Sequence, residues 1–247
     1  HRGTLTAKQQ IKKNNRMAEN LLRMLELCLT RSAVATHTPA DGTALRPLWN
    51  TLLVNQFHDI LPGSCIAAAN DRSLHDMAEM LHTGSELLRS WFAPAQNCYT
   101  VLNPLDEPCR DVFYLPKIAS GFIVQEPGVT LQNVLLADGT AATAVYGLER
   151  PALGAAVLHF VPGEQPAQTS RFVYDGKTLT TPLLQVQLDE LGRITSLVTR
   201  ADGMQWADGP MNTLLMAEDV SAGWDGWDID ADCMMKLQPA ARLTKQT

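Results

Sequence analysis

The 247-residue chain has no run approaching 18 consecutive apolar residues, so it offers no transmembrane helix. It lacks any excess of positive charge. Twenty Lys and Arg against 26 Asp and Glu give a net charge of −6 and a pI near 5.5, which argues against a nucleic-acid or anionic-membrane surface. Its five cysteines (Cys28, Cys65, Cys98, Cys109 and Cys233) form no C-x-x-C pair, which removes the zinc knuckle and the disulfide framework and favours a reducing, cytoplasmic compartment. There is no Gly-rich phosphate loop, no G-x-S-x-G elbow, no setting for a nucleophilic Cys, no internal repeat and no low-complexity stretch. What remains is 45% apolar and 19% charged: ordinary globular material.

Its texture changes near residue 95. Before that point the pattern predicts three helices. Ala7 to Leu29 carries Ile11, Met17, Leu21, Leu22, Met24, Leu25, Cys28 and Leu29 largely at three-to-four spacing. Lys8, Lys12, Lys13 and Arg16 gather near its start, where cations oppose the helix dipole, and are expected to face water or acidic neighbours. Ser32 to Pro47 reads as a connector. Leu48 to Phe57 places Trp49, Leu52, Leu53, Gln56 and Phe57 on one face. Pro62-Gly63 breaks that helix, and Ser64 is a candidate N-cap for a third helix from about Cys65 to Phe92. Short connections favour an antiparallel three-helix bundle.

After Pro94 come short β-rich runs: 99–102, 111–115, 121–125, 129–136, 155–161, 171–174 and 183–188. Residues 189–193 read as a hairpin turn leading into 194–198. No helix-length segment intervenes, so the expected class is α+β, a helical bundle followed by antiparallel β-sandwich domains. The expected division is 1–94, 95–168 and 169–247.

Two features carry polar chemistry. In NQFHDILPGS (55–64), His58 and Asp59 stand where helix packing asks for neither. Imidazole suits a divalent transition ion and carboxylate suits an ion or a sugar hydroxyl. At a regular helix end the two would diverge by about 100° and not grip one ion together. Equally, His58 could donate to a backbone carbonyl while Asp59 caps the next turn. In 224–232, WDGWDIDAD, indole rings beside carboxylates suit carbohydrate, since CH faces stack on rings while hydroxyls bond to carboxylates. A structural turn with Trp anchors is the alternative. Asp228, Asp230 and Asp232 match the first calcium-loop positions, but Cys233 and Pro239 occupy the places of the required Gly and Glu. His75 and His82, His37 and His159 are read as surface or packing residues.

These motifs, in their order, resemble glycoside hydrolase family 38, the retaining α-mannosidases. NQFHDILPGS is similar to the family signature. His1-Arg2-Gly3-Thr4-Leu5-Thr6 resembles its H-R-G-T-Y-T, with Leu5 in place of the aromatic. Leu102-Asn103-Pro104-Leu105 resembles the N-P segment opening its β region, and Thr181-Pro182 through Asp189-Glu190-Leu191-Gly192-Arg193-Ile194-Thr195-Ser196-Leu197 its T-P…D-x-x-G-R-I-T-S-L strand pair. Trp224–Asp230 resembles W-D-A-W-D-I-D, with Gly226 for Ala. The resemblance implies a zinc ion with His58 as one ligand, Asp59 contacting bound mannose, and Arg2 as a further substrate-binding residue. It also implies that the α/β barrel domain bearing the other zinc ligands and both catalytic carboxylates lies outside these residues. The chain is then expected to be a piece of a longer, α-mannoside-hydrolysing polypeptide and inactive alone. A hydrolase for a small mannosylglycerate-type mannoside, or a non-catalytic carbohydrate-binding or scaffold piece, are the competing expectations.

Overall fold

Ile11, Asn15, Ala18, Leu22 and Leu25 recur every three or four residues, and in the computed structural model all are buried along one face of helix α1 (Gln9–Thr36). The structure describes residues 2–92, 96–164, 170–224 and 226–240; His1, 93–95, 165–169, Asp225 and 241–247 lie outside the described residues. Helix α2 (Arg46–Asn55), opened by Pro47 in its first turn, buries Leu48, Leu52 and Asn55. Helix α3 (Ala67–Ser90) buries Ser73, Met77, Met80 and Gly84. Their shared core joins Leu22 and Leu25 to Leu48, Leu52, Met77 and Met80.

Direction follows from the cross-links. Gln56 bonds Asn15 and Glu19 while Trp49 Nε1 donates to Glu26, so α2 runs against α1. Gly84 faces both Leu21 and Leu48, and Trp91 and Phe92 come beside Cys28 and Leu29, so α3 runs back along α1. The bundle is up-down-up.

Two boundaries differ from the periodic pattern. α1 continues through the expected connector to Thr36, closing on His37 in the left-handed region with Thr38 N–H bonded to the Ala33 carbonyl. Its last turns are supported from outside: Arg31 donates to the Leu153 carbonyl. α2 ends at Asn55, earlier than expected. Leu53 and Phe57, assigned above to its apolar face, are more than half exposed, and Leu48 and Asn55 are buried instead. Ser64 is not the N-cap of α3; Ile66 occupies that position without a side-chain bond.

Strands β1 (Cys98–Leu102), β2 (Phe113–Pro116), β3 (Phe122–Val124), β4 (Thr130–Leu135), β5 (Ala141–Tyr146) and β6 (Ala155–Pro162) form two three-stranded antiparallel sheets, ordered β1-β6-β3 and β2-β5-β4. They face each other across Leu131, Val145, Leu148, Leu158 and Phe160, a small sandwich. β5 is absent from the sequence reading. Three alanines dilute the β-favouring Thr, Val and Tyr of its Ala-Ala-Thr-Ala-Val-Tyr, yet it is the central strand, with Ala142, Thr143 and Val145 buried. Asn103 of the N-P segment is 1% exposed; its amide donates to the Glu107, Arg150 and Pro151 carbonyls and its oxygen accepts from Leu105 N–H. With the Arg23 guanidinium on the Pro104 carbonyl, bundle and sandwich form one compact unit, residues 4–166.

The second unit comprises residues 1–3 and 167–247. β7 (Val173–Tyr174), β8 (Thr178–Thr180), β9 (Leu184–Leu188) and β10 (Ile194–Thr199) pair in sequence order as an antiparallel meander. β8 also went unread; the Asp175-Gly176 turn makes it. The expected 189–193 hairpin forms, with Asp189 Oδ1 accepting from Leu191 and Arg193 N–H and Gly192 at φ 77°. β11 (Leu215–Met216) pairs with β12 (Gln238–Pro239), with a 3₁₀ turn at Ala231–Lys236 between them.

Candidate functional site

Between Asn55 and Ser64 the backbone leaves the helix and turns on itself. Ile60 and Leu61 N–H groups bond the Phe57 carbonyl, and Gly63 N–H bonds that of Ile60. Two side chains from α1 hold this loop. Lys12 Nζ lies 2.5, 3.1 and 3.0 Å from the carbonyl oxygens of Ala7, Leu61 and Pro62. Burial lowers the pKa of Lys12, so the lysine expected to face water is partly withdrawn and caps the loop. Gln56 Nε2 reaches Asn15 and Glu19, both at 3.0 Å. Gly63, at φ 87°, presses on α1: a Cβ there would come within 2.9 Å of the Ala7 oxygen and Lys8 Cβ.

His58 and Asp59 ride on this anchored loop with their side chains left out, 72% and 46% exposed. His58 Nε2 is 3.7 Å from Asp59 Oδ2, and the imidazole rests against Phe57 with ring centroids 4.1 Å apart. The divergence expected of a helix end does not occur, because the pair sits on a turn and its two polar atoms converge. Among the described residues the His58 side chain bonds no backbone carbonyl and the Asp59 carboxylate does not cap the next turn; the Asp59 backbone carbonyl receives Ser64 Oγ at 3.4 Å. A rigid support under an unengaged imidazole and carboxylate fits a metal ligand beside a hydroxyl acceptor. One His offers a single donor, so a metal held there would need further ligands from elsewhere.

Arg2 belongs to the second unit, on the WDGWDID segment. Its backbone N–H is 3.3 Å from Asp228 Oδ1, its Nε 3.8 Å from the same oxygen, and its Nη2 donates to the Ile229 carbonyl at 3.4 Å. Gly3 packs so closely that a Cβ would stand 3.1 Å from the Asp228 carbonyl oxygen. The N–H groups of Ile229 and then Arg2 hold the Asp228 carboxyl below the usual range. Two motifs far apart in sequence are thus one cluster, a pairing no spacing rule could supply. Two more aspartates of this segment are engaged: Asp230 accepts from Ala222 N–H at 2.8 Å and Asp232 pairs with Lys236 at 2.6 Å.

One cluster was missed. On α3, donor atoms of His75, Asp76 and Glu79 lie within 4.8 Å of one another. Helical i, i+1, i+4 spacing could have suggested it. Arg72 Nε, however, sits 2.7 and 2.8 Å from the two Asp76 oxygens, opposing a cation there. A cleft of about 420 Å³ opens between Cys28, Arg31, Ser32, Trp91, Phe92 and Ala155. Burial raises the Cys28 pKa, against the opposing pull of Arg31, which disfavours its thiolate.

Residues 1–93 match the family model described as the alpha mannosidase middle domain. The chain is 32% identical to human alpha-mannosidase 2C1 over 247 positions, covering 93% of this chain and 21% of that protein. It is 30% identical to the mouse protein of the same name over 241 positions, covering 93% and 22%. It also matches alpha-mannosidase of Saccharomyces cerevisiae at 40% over 68 residues, 27% of this chain and 6% of the relative. Two solved structures from Enterococcus faecalis share the fold. One is an alpha-mannosidase (TM-score 0.53, 14% identity, 83% of this chain and 29% of that one). The other is a glycosyl hydrolase family 38 protein (TM-score 0.56, 13% identity, 97% and 34%). A middle-domain bundle with β layers behind it defines the class, and the chain belongs to the family 38 α-mannosidases. It spans about a fifth of the length of the human and mouse relatives.

Proposed function

We propose that this chain is part of a retaining, metal-dependent enzyme that hydrolyses terminal α-linked mannose. The exposed, unengaged His58–Asp59 pair on a loop fixed by Lys12 and Gln56 carries this reading. His58 would hold zinc through one ring nitrogen, Asp59 would accept a mannose hydroxyl, and Arg2 would donate to the substrate. A divalent ion there supplies electrophilic polarisation of sugar hydroxyls. Retention requires a nucleophilic carboxylate and an acid/base carboxyl about 5 Å apart. We assign both, with the remaining metal ligands, to a barrel domain of the same polypeptide, so residues 1–247 alone are inactive. In this reading 1–94 form the metal-bearing bundle, 95–168 a small β domain and 169–247 the start of a larger sandwich. Five unpaired cysteines support a cytoplasmic setting, and no described helix is long and apolar enough to cross a membrane.

The test is metal content and aryl α-mannoside hydrolysis by the complete gene product and its His58→Ala variant. Loss of about one equivalent of zinc together with activity is expected. Unchanged metal and unchanged hydrolysis in the variant would remove His58 from the site.

A further inference from the structure

At the end of α1 away from Lys12, the bundle and the small sandwich meet without closing. The cleft between them holds about 420 Å³, the size of a small-molecule site. Cys28 in its wall stands roughly 25 Å along the helix axis from Lys12, which holds the His58 loop. The floor is the last pair of β1 and β6, Leu102 opposite Ala155, where the alanine methyl leaves space that a larger side chain would fill. Two arginines of α1 fix the walls. Arg23 donates to the Pro104 carbonyl just past β1, at 3.2 and 2.9 Å, and Arg31 Nη1 donates to the Leu153 carbonyl just before β6. Charge-assisted bonds on both sides make the cleft a preformed feature of this unit.

Its lining has an apolar part and a charged one. Trp91 and Phe92, just past α3, remain 38% and 39% exposed beside Leu29, and the Trp91 indole N–H bonds nothing among the described residues. Two large rings left open side by side favour an apolar ligand body. Arg31 is the one charged residue among the described residues of the lining. Leu153 engages its Nη1, while the Nε–Nη2 edge, which can grip a carboxylate through two parallel bonds, has no acceptor among the described residues. The Cys28 pKa, raised by burial, is pulled back by the Arg31 charge, so that charge is felt at the cleft wall. A cation is opposed there, and a neutral ligand leaves the guanidinium unmatched.

We propose that this cleft binds a small amphipathic carboxylate. Its apolar body lies against Trp91, Phe92 and Leu102, and its acid pairs with the Nε–Nη2 edge of Arg31. The occupant touches α1, β1, β6 and the end of α3 together, so it bridges bundle and sandwich.

The experiment titrates 2-naphthoate and its neutral isostere 2-naphthamide into the complete gene product, followed by calorimetry. The wild type is expected to take up one equivalent of the acid, about tenfold more tightly than the amide. Arg31→Gln keeps a donor for the Leu153 carbonyl and removes the charge. It should weaken acid binding about tenfold and leave the amide within about twofold. Arg31→Lys, which keeps the charge, should still prefer the acid. Trp91→Ala should weaken both compounds about three- to tenfold. Ala155→Leu fills the floor from an exposed strand position, so it retains a readout should Arg31→Gln disturb the α1 tie, and it should abolish binding of both. Trp206→Ala, an exposed indole outside the cleft, is the control and changes neither. A wild type that does not bind 2-naphthoate overturns the proposal, as does binding that survives Ala155→Leu unchanged. Acid and amide that bind equally to the wild type, or fall together in Arg31→Gln, overturn the carboxylate class. None of these readouts depends on α-mannoside hydrolysis.

Discussion

Lys12 Nζ stands 3.1 Å from the Leu61 carbonyl oxygen, so a charged side chain from the first turns of α1 holds the loop that displays His58 and Asp59. Two neighbouring carbonyls, Ala7 and Pro62, share the same ammonium. The loop's place relative to the bundle thus depends on a charge-assisted contact in addition to apolar packing.

Lys12→Met keeps the aliphatic stem and removes the donors. It is expected to lower stability by about 1–3 kcal/mol, as three carbonyls lose a charged partner. Chemical denaturation measures the loss. In the complete gene product, zinc affinity should fall with His58 and Asp59 untouched, while a variant indistinguishable from wild type in both assays would show the contact to be idle.

Gly63→Ala meets two obstacles together: a left-handed backbone at φ 87° and a Cβ 2.9 Å from the Ala7 oxygen. A loss of about 1–3 kcal/mol is expected. Gly176→Ala shares the positive φ, 94°, but has nothing within 4 Å. It should cost less, about 1 kcal/mol. Thermal melts of the two variants side by side separate strain from crowding.

Leu158 is fully buried where the two small sheets meet. Leu158→Ala should destabilise by about 2–5 kcal/mol. Val157→Ala on the same strand, 41% exposed, should cost well under half of that. Equal losses would mean that the sheets do not pack through Leu158.

The Asp189 carboxyl is held below the usual carboxylate range, first by the Arg193 N–H; the Arg193 guanidinium and Leu191 N–H add to this and outweigh desolvation. A depressed folded-state pKa contributes stability that is present above the unfolded value near ~3.9 and is lost as pH falls through the folded value. Wild type should therefore exceed Asp189→Asn in urea midpoint at pH 6, and the gap should shrink as pH falls through the depressed folded-state pKa. A gap that widens on acidification would contradict the assignment.

Local chemistry made part of this molecule readable. The helix core positions from Ile11 to Leu25 follow from a period of 3.6, and the Asp189–Arg193 hairpin from turn chemistry, because each depends on neighbours a few residues away. NQFHDILPGS announced itself as a helix end with two unexplained polar groups, but not how they would stand. Their convergence to 3.7 Å required knowing that α2 stops at Asn55 and that Lys12 and Gln56 reach across from α1.

β5 is the reverse case. Ala141–Tyr146 mixes three alanines with Thr, Val and Tyr and gives only a diluted strand signal, and its central place comes from β2 and β4 flanking it and Leu158 and Phe160 covering it. The Asp138-Gly139 pair was the one local signal, and it marks the hairpin back to β4.

The residue types at the candidate sites, the helical period and the hairpin turn were determined by the sequence itself, since side-chain chemistry and short-range backbone geometry need no distant partner. The last turns of α1, the central place of β5, the freedom of His58 and the seat of Arg2 on Asp228 were decided by the tertiary structure. Each depends on contacts between residues far apart along the chain, whose energy local propensity does not contain.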